Sequence, residues 1–406
     1  MKKILAVILA VIMLVSGTAV AFAADKPATG TLQFDENGKF KILIFADIQD
    51  GFPMVEDLLV FMNEALNKAQ PDFVVFLGDN VMGPQSGDHD VDAYIKGFDQ
   101  ALTPLVERGI PFSLVFGNHD DETMPNLTKE QMLEIYQRYE GCMAYDAVPE
   151  LHGTATHNLE VLSSDGSHTA FNMWFMDSGD YVFDENGEKL HYDCVRKDQI
   201  EWYEQTSKAL EEKNGAPVPS FMFQHIVPAD VAQQVMVTLP FHIGDLAHYD
   251  MDDGTAVTYL PNIFGFQSGM VGEGLCPSTE NDGQWDAIAE RGDVLACFFG
   301  HDHKNTYKAN VKGVDAVNVP GSTFRHYRSS IHQGCMVLTL DEKDLSTYKS
   351  ETLYVTSMAL EKGSQLPGLS RTKANYVFYE FLRIFLKVLL TPFKMLANIP
   401  GKIIYG

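Results

Sequence analysis

Three times in the first third of the chain, an apolar run of strand type empties into a polar cluster. Lys41-Ile42-Leu43-Ile44-Phe45-Ala46 ends at Asp47-Ile48-Gln49-Asp50, residues 73–77 end at Gly78-Asp79-Asn80, and residues 112–116 end at Gly117-Asn118-His119-Asp120-Asp121. Apolar residues at helical spacing follow the first cluster over 55–69, where Pro71 ends the pattern, and the second over 93–107, where Arg108-Gly109 closes it. Near-continuous apolar strands joined by helices require a parallel sheet covered on both faces. All carboxyl ends of such a sheet share one edge, where ligands gather. Asp47, Asp79 and Asn118 are therefore expected side by side. Ahead of this unit, residues 31–34, the turn Asp35-Glu36-Asn37-Gly38 and residues 40–46 predict a hairpin.

The pattern is looser afterwards. Residues 132–139 and 198–211 have helical spacing, and residues 170–176 and 220–223 read as strands. Phe221-Met222-Phe223 ends at Gln224-His225, and Val294-Leu295-Ala296-Cys297-Phe298-Phe299 ends at Gly300-His301-Asp302-His303. Residues 316–319 and 335–340 are late strands. The Gly- and Asp-rich stretch 237–282 is long for a loop, and long loops are commonly lids. Its His242, Asp245, His248, Asp250, Asp252 and Asp253 look metal-like, but they lack an EF-hand pattern and read as polar lid residues.

A formal net charge of -25 argues against binding nucleic acid. Met1-Lys2-Lys3, the apolar run 4–15 and Ala21-Phe22-Ala23-Ala24 read as a cleaved bacterial-type export signal over 1–24, implying a secreted or extracytoplasmic protein. In that context the sequon at Asn126-Leu127-Thr128 reads as chance. The five cysteines show no paired spacing, and Cys297 and Cys335 sit in apolar runs as buried free thiols. One domain is expected over 31–360, then a polar linker over 361–375. Residues 376–406 are rich in Phe, Leu, Val and Tyr, interrupted by Arg383, Lys387 and Lys394. Two readings of this tail stay open: a helix lying on a membrane surface, or one packed on protein.

Five strand ends thus offer Asp47 with Gln49, Asp79, Asn118 with His119, His225, and His301 with His303. Mixed carboxylate, amide and imidazole donors suit Mn, Fe, Zn, Ni or Co, and a central carboxylate can bridge two divalent ions. These motifs, taken in order, resemble the calcineurin-like metallophosphoesterases, with D-x-H, G-D-x-x-D, G-N-H-[DE], a lone His and G-H-x-H. Asp177-Ser178-Gly179, Gln199-Ile200-Glu201-Trp202 and Arg291-Gly292-Asp293 extend the likeness towards the single-domain purple-acid-phosphatase-like branch.

The resemblance implies an α/β fold, a four-layer α/β/β/α sandwich of two mixed sheets. It implies that Asp79 bridges two ions, that Asp47 and His303 hold the first, and that Asn118, His225 and His301 hold the second. His119 would protonate the leaving group or steady the phosphate, while an ion-activated water attacks phosphorus. The implied activity is that of a phosphomonoesterase; the alternatives are a phosphodiesterase or nucleotide hydrolase, or a catalytically weak surface-binding protein that kept the fold.

Two positions depart from the family pattern. Gln49 stands where the family has histidine; it is either an amide-oxygen ligand favouring harder ions such as Mn, or an ordinary loop residue. Met82 stands where relatives carry tyrosine or aspartate. This predicts no Fe(III) charge-transfer colour and leaves the group that orients His119 unidentified. Arg325, with His326 and Arg328, is a candidate contact for substrate phosphate beside Asn118 and His119, or else a solvated charged loop.

Overall fold

The computed structural model describes residues 30–81, 91–123, 127–239, 248–250, 256–262, 266–326 and 332–362, with positions 378, 381, 382 and 385. The expected export signal, Met82, Asn126, His242, Asp245, Asp252, Asp253, Arg328, the linker beyond Lys362 and most of the C-terminal segment lie outside the described residues.

The repeated strand–helix unit forms as its pattern requires. Lys39–Phe45, Phe73–Leu77 and Phe112–Val115 lie side by side and parallel, with Ile44 opposite Val75 and Phe76 opposite Leu114. Gly334–Asp341 pairs antiparallel on the other side of Lys39–Phe45, and Lys349–Tyr354 completes a five-stranded mixed sheet. The intervening helices are Glu56–Ala69 and Val91–Val106.

A second mixed sheet has eight strands. Its centre is parallel: Thr169–Phe175, Ser220–Phe223, Val294–Phe299 and Val314–Asn318 run in one direction. The helices Lys197–Asn214 and Gln284–Arg291 cover its outer face.

Side-chain alternation along the strands gives the layer order. Leu43 and Phe45 pack with Leu58, Phe61 and Phe98 of the first pair of helices. Ile42 and Ile44, facing the other way, pack with Phe171, Phe175, Phe223 and Phe298 of the second sheet. Trp174, Met222 and Cys297 then face outward onto Ile200, Tyr203 and Trp285. This is the α/β/β/α sandwich. Phe175, Phe223 and Phe298 stack at centroid distances of 5.2 and 5.4 Å, and each fully buried ring of this kind contributes about 1.5–3 kcal/mol.

The predicted N-terminal hairpin does not form. Its turn does: the Asp35 carboxylate accepts from the Asn37 and Lys39 amides at 2.8 and 2.7 Å, with Gly38 in the left-handed region. The arms then part into different sheets. Leu32–Gln33 pairs parallel with His157–Leu162, and Lys39–Phe45 enters the five-stranded sheet. Leu32 and Phe34 thereby add to the layer between the sheets, an inter-sheet burial that local turn chemistry does not report. The expected long loop also contains strands, since Met236–Leu239, His248–Asp250 and Ala256–Pro261 form a three-stranded antiparallel sheet. All five cysteines are free, and Cys297 and Cys335 are buried.

Candidate metal centre

The parallel strands of both sheets present their carboxyl ends at one edge, and the candidate ligands meet there across the sheets. His225 Nε2 lies 3.3 Å from Asp79 Oδ2 and 3.9 Å from Asp47 Oδ1, and His303 Nε2 lies 3.4 Å from Asp47 Oδ1. The His119 amide donates to Asp79 Oδ1 at 2.8 Å, and the His301 amide donates to Asp47 Oδ1 at 2.9 Å. The His225 ring is held through Nδ1 by the Leu77 carbonyl at 2.9 Å, which leaves Nε2 facing the carboxylates. Asp47, Gln49, Asp79, Asn118 and His225 are all buried.

The backbone makes this crowding feasible at a cost. Asp47, Gln49, Asp79 and His301 adopt positive φ of 50°, 43°, 49° and 69°. Such left-handed conformations are uncommon for residues with a Cβ, and they cluster where a site over-determines the geometry. Glycine is required where strands pass closest. A Cβ on Gly117 would sit 2.3 Å from Asp79 Oδ1 and 2.8 Å from His225 Cδ2, and one on Gly78 would meet His225 Nδ1 at 2.4 Å.

The electrostatics follow from charged side chains packed close together and buried. Burial alone would raise the Asp79 carboxyl, but the His225 imidazole, helped by His119, drives it far below the usual carboxylate range. Burial opposes charge on His225 and His303, yet the facing Asp79 and Asp47 carboxylates push both up to about 9. His301 goes the other way: burial and the nearby His225 charge hold it well below its ordinary value. Asp120 is raised to about 7 by burial and by Asp79.

Six buried polar atoms here make no hydrogen bond: Asp47 Oδ2, Gln49 Oε1, Asp79 Oδ2, Asn118 Oδ1, His225 Nε2 and His301 Nε2. Asp79 Oδ2 and His225 Nε2 face each other at 3.3 Å as a charge pair, whereas each of the other four orphans costs about 1–3 kcal/mol, which points to cations as the missing partner. Among the described residues, four groups of side chains bring their ligand atoms within 4.8 Å of one another, and two of them lie at this edge around Asp79: Asp79 with His225 and His301, and Asp47 with Asp79 and His303. Asp79 belongs to both. The donor set fits divalent metal ions, with Asn118 Oδ1 and Gln49 Oε1 as further oxygen donors. The Gln49 side chain is buried rather than solvated, and its Oε1 makes no hydrogen bond.

The surrounding residues complete the machinery. Asp120 ties the loops of two motifs together by accepting from the Asn80, Val81 and Gly117 amides at 2.9, 3.1 and 2.8 Å. His119 Nδ1 bonds Glu122 Oε1 at 2.7 Å, so Glu122 is the orienting partner that Met82 left unassigned. Burial lowers the His119 value, but the Glu122 bond and the Asp79 charge outweigh it and raise it. Arg325 gives its guanidinium to the Asp50 carboxylate and the Pro53 carbonyl, at the loop that carries Gln49.

Sequence reasoning missed Glu122, Tyr181 and Tyr192. Glu122 had a signal, since i,i+3 spacing from His119 brings side chains together in the 3-10 turn Asp120–Thr123. Tyr181 and Tyr192 had none, because their hairpin, Tyr181–Phe183 with Lys189–Tyr192, is short and half-exposed, with no buried face to give it a periodicity. Tyr181 Oη accepts from Asn118 Nδ2 at 2.7 Å, and burial pushes its phenol up to about 12. The Tyr192 ring stands edge-on to His301, with centroids 4.5 Å apart.

Two sheets that meet around a carboxylate shared by two imidazole–carboxylate groups make a metal-site architecture. The calcineurin-like phosphoesterase family model matches residues 40–305, and the chain belongs to that family. It is 27% identical over 329 residues to "Probable inactive purple acid phosphatase 14" of Arabidopsis thaliana, covering 73% of each chain. It is 28% identical over 344 residues to "Probable inactive purple acid phosphatase 29" of the same plant, covering 77% of this chain and 79% of that one. Among solved structures, a dimetal phosphatase from Danio rerio is 13% identical, with a TM-score of 0.47, over 77% of this chain and 98% of the other.

Proposed function

We propose that this chain is an exported, two-ion phosphoesterase that hydrolyses phosphomonoesters. The observation that carries the proposal is the sharing of buried Asp79 between two candidate ligand groups, surrounded by orphaned donor atoms. Asp47, His303 and Gln49 would hold one ion, Asn118, His225 and His301 the other, and Asp79 both. When bound, paired divalent ions lower the pKa of a water and offset phosphoryl charge. The chain supplies the rest. His119, whose hold on a proton is strengthened by Glu122 and Asp79, would deliver that proton from its half-buried position to the departing oxygen. Asp120 keeps Asn118 and Asp79 in register through the backbone.

The test is turnover of p-nitrophenyl phosphate and bis-p-nitrophenyl phosphate by protein loaded with Mn, against Asp79→Ala. Monoester turnover that vanishes in the variant supports the proposal, and preferential diester turnover moves the substrate class to diesters or nucleotides. Turnover of neither, with wild type matching the variant, overturns it. A second reading, a binding protein with weak catalysis, is favoured by Gln49 in place of histidine and by relatives named "probable inactive".

Attachment to a membrane surface is a separate part of the proposal. Phe378, Phe381 and Phe385, at i, i+3 and i+7, are exposed helical residues in the basic C-terminal segment. Among the described residues, no helix is long and apolar enough to cross a membrane. Removal of residues 376–406 is expected to move the protein from the membrane to the soluble fraction; an unchanged distribution contradicts the attachment.

A further inference from the structure

Asn118 is an amide with two ends of nearly the same shape and opposite polarity. Facing a cation, its Oδ1 attracts and its NH2 repels, so an Asn ligand works only when the other end has somewhere to go. Asn118 is buried, and an unpartnered NH2 there costs about 1–3 kcal/mol. In the structure Nδ2 donates to Tyr181 Oη at 2.7 Å, and Oδ1 is the end left without a partner.

Tyr181 is itself held firmly. The Lys189 ammonium sits 3.0 Å from its ring centroid, and the Tyr192 ring packs against it at 5.2 Å. Tyr192 in turn stands edge-on to His301. The base of this hairpin is fixed by ion pairs that the catalytic reading does not use. The Asp193 carboxylate joins Arg196 and His152, and Glu280 joins Arg196 and, at 3.5 Å, His191. One hairpin therefore touches both Asn118 and His301, two of the three side chains assigned to the second ion alone.

We propose that Tyr181 is a positioning residue for the second ion: its hydroxyl takes up the Asn118 NH2 group so that Oδ1 faces the metal, on a hairpin whose Tyr192 braces His301. This rests on the two-ion reading above. Partners of this kind, one layer behind the ligands, typically contribute 10–100-fold to metal affinity.

The experiment is calorimetric Mn titration of the metal-free full chain, comparing wild type with Tyr181→Phe. Tyr181→Phe keeps the ring, its packing and the Lys189 contact, and removes only the acceptor. The expected result is about tenfold or greater weakening of one of two sites in Tyr181→Phe. The other site and the thermal midpoint of the metal-free protein should stay as in wild type. Two unchanged sites in Tyr181→Phe overturn the proposal. Equal weakening of both sites with a lowered midpoint also overturns it, since that is the signature of general structural damage. Wild-type protein that binds fewer than two ions overturns the two-ion reading itself, and this shows before any substitution is compared.

Discussion

Gly117→Ala is the sharpest perturbation of the site, because it adds one methyl and no charge. The new Cβ would lie 2.3 Å from Asp79 Oδ1, 2.5 Å from the Asp79 amide nitrogen and 2.8 Å from His225 Cδ2, where ordinary contacts begin at 3.4 Å. A side chain can rotate away from such a clash, but the Asp79 nitrogen belongs to the backbone, so the loop must move by about 1 Å. Overpacking of this size costs about 1–3 kcal/mol of stability. The functional loss is expected to be larger, since a 1 Å misplacement of a reacting group costs about 10²-fold in rate. Thermal unfolding and p-nitrophenyl phosphate turnover on Mn-loaded protein measure the two effects. Gly97→Ala is the control: its added Cβ has no neighbour closer than 3.8 Å, so it should leave turnover unchanged. If Gly117→Ala keeps wild-type turnover and metal affinity, the close approach of Asp79 and His225 to this strand end is wrong.

Further outcomes follow from the same geometry. Glu122 raises the His119 value, so Glu122→Gln lowers it, and turnover that needs protonated His119 should decline at lower pH in the variant. An alkaline limb that does not move contradicts the acid role; the pair is partly exposed, so the stability change should stay below about 1 kcal/mol. In the metal-free protein His225 and His303 sit at about 9, so metal binding at pH 7 should release about two protons, measurable by calorimetry in buffers of different ionisation enthalpy. Apparent metal affinity should then rise with pH until about 9; a pH-independent affinity contradicts this. The sign for folding is opposite: these raised histidines stabilise the metal-free protein below about pH 6.5, and that contribution is lost as pH rises through about 9. Gln49→His restores the family's usual ligand at a left-handed position that His tolerates, and should tighten the first ion and shift its preference from Mn towards Zn or Co, read by competitive metal titration.

Most of this site was legible because strand ends are local. An apolar run that stops at Gly-Asp or Gly-Asn-His announces both the buried strand and what it presents, and the parallel arrangement follows from the crossover helices. Ser220–Phe223 and Val294–Phe299 were readable for the same reason, so His225, His301 and His303 were expected at strand ends, while the second sheet that holds those strands was implied only by the family resemblance. The misreadings have the opposite character. The Asp35 turn is local and correct, but which sheet each arm joins depends on Leu32 and Phe34 finding apolar partners more than a hundred residues away. Tyr181 and Lys189 owe their position to contacts with Asn118 and with each other, and nothing in a half-exposed hairpin's own periodicity encodes such contacts.

Anomalous diffraction from crystals of the full chain grown with Mn tests the central claim most directly. The account predicts two Mn peaks on either side of Asp79, one against Asp47 and His303 with Gln49, the other against Asn118, His225 and His301. A single peak away from Asp79, or ions only at exposed carboxylates, would contradict it.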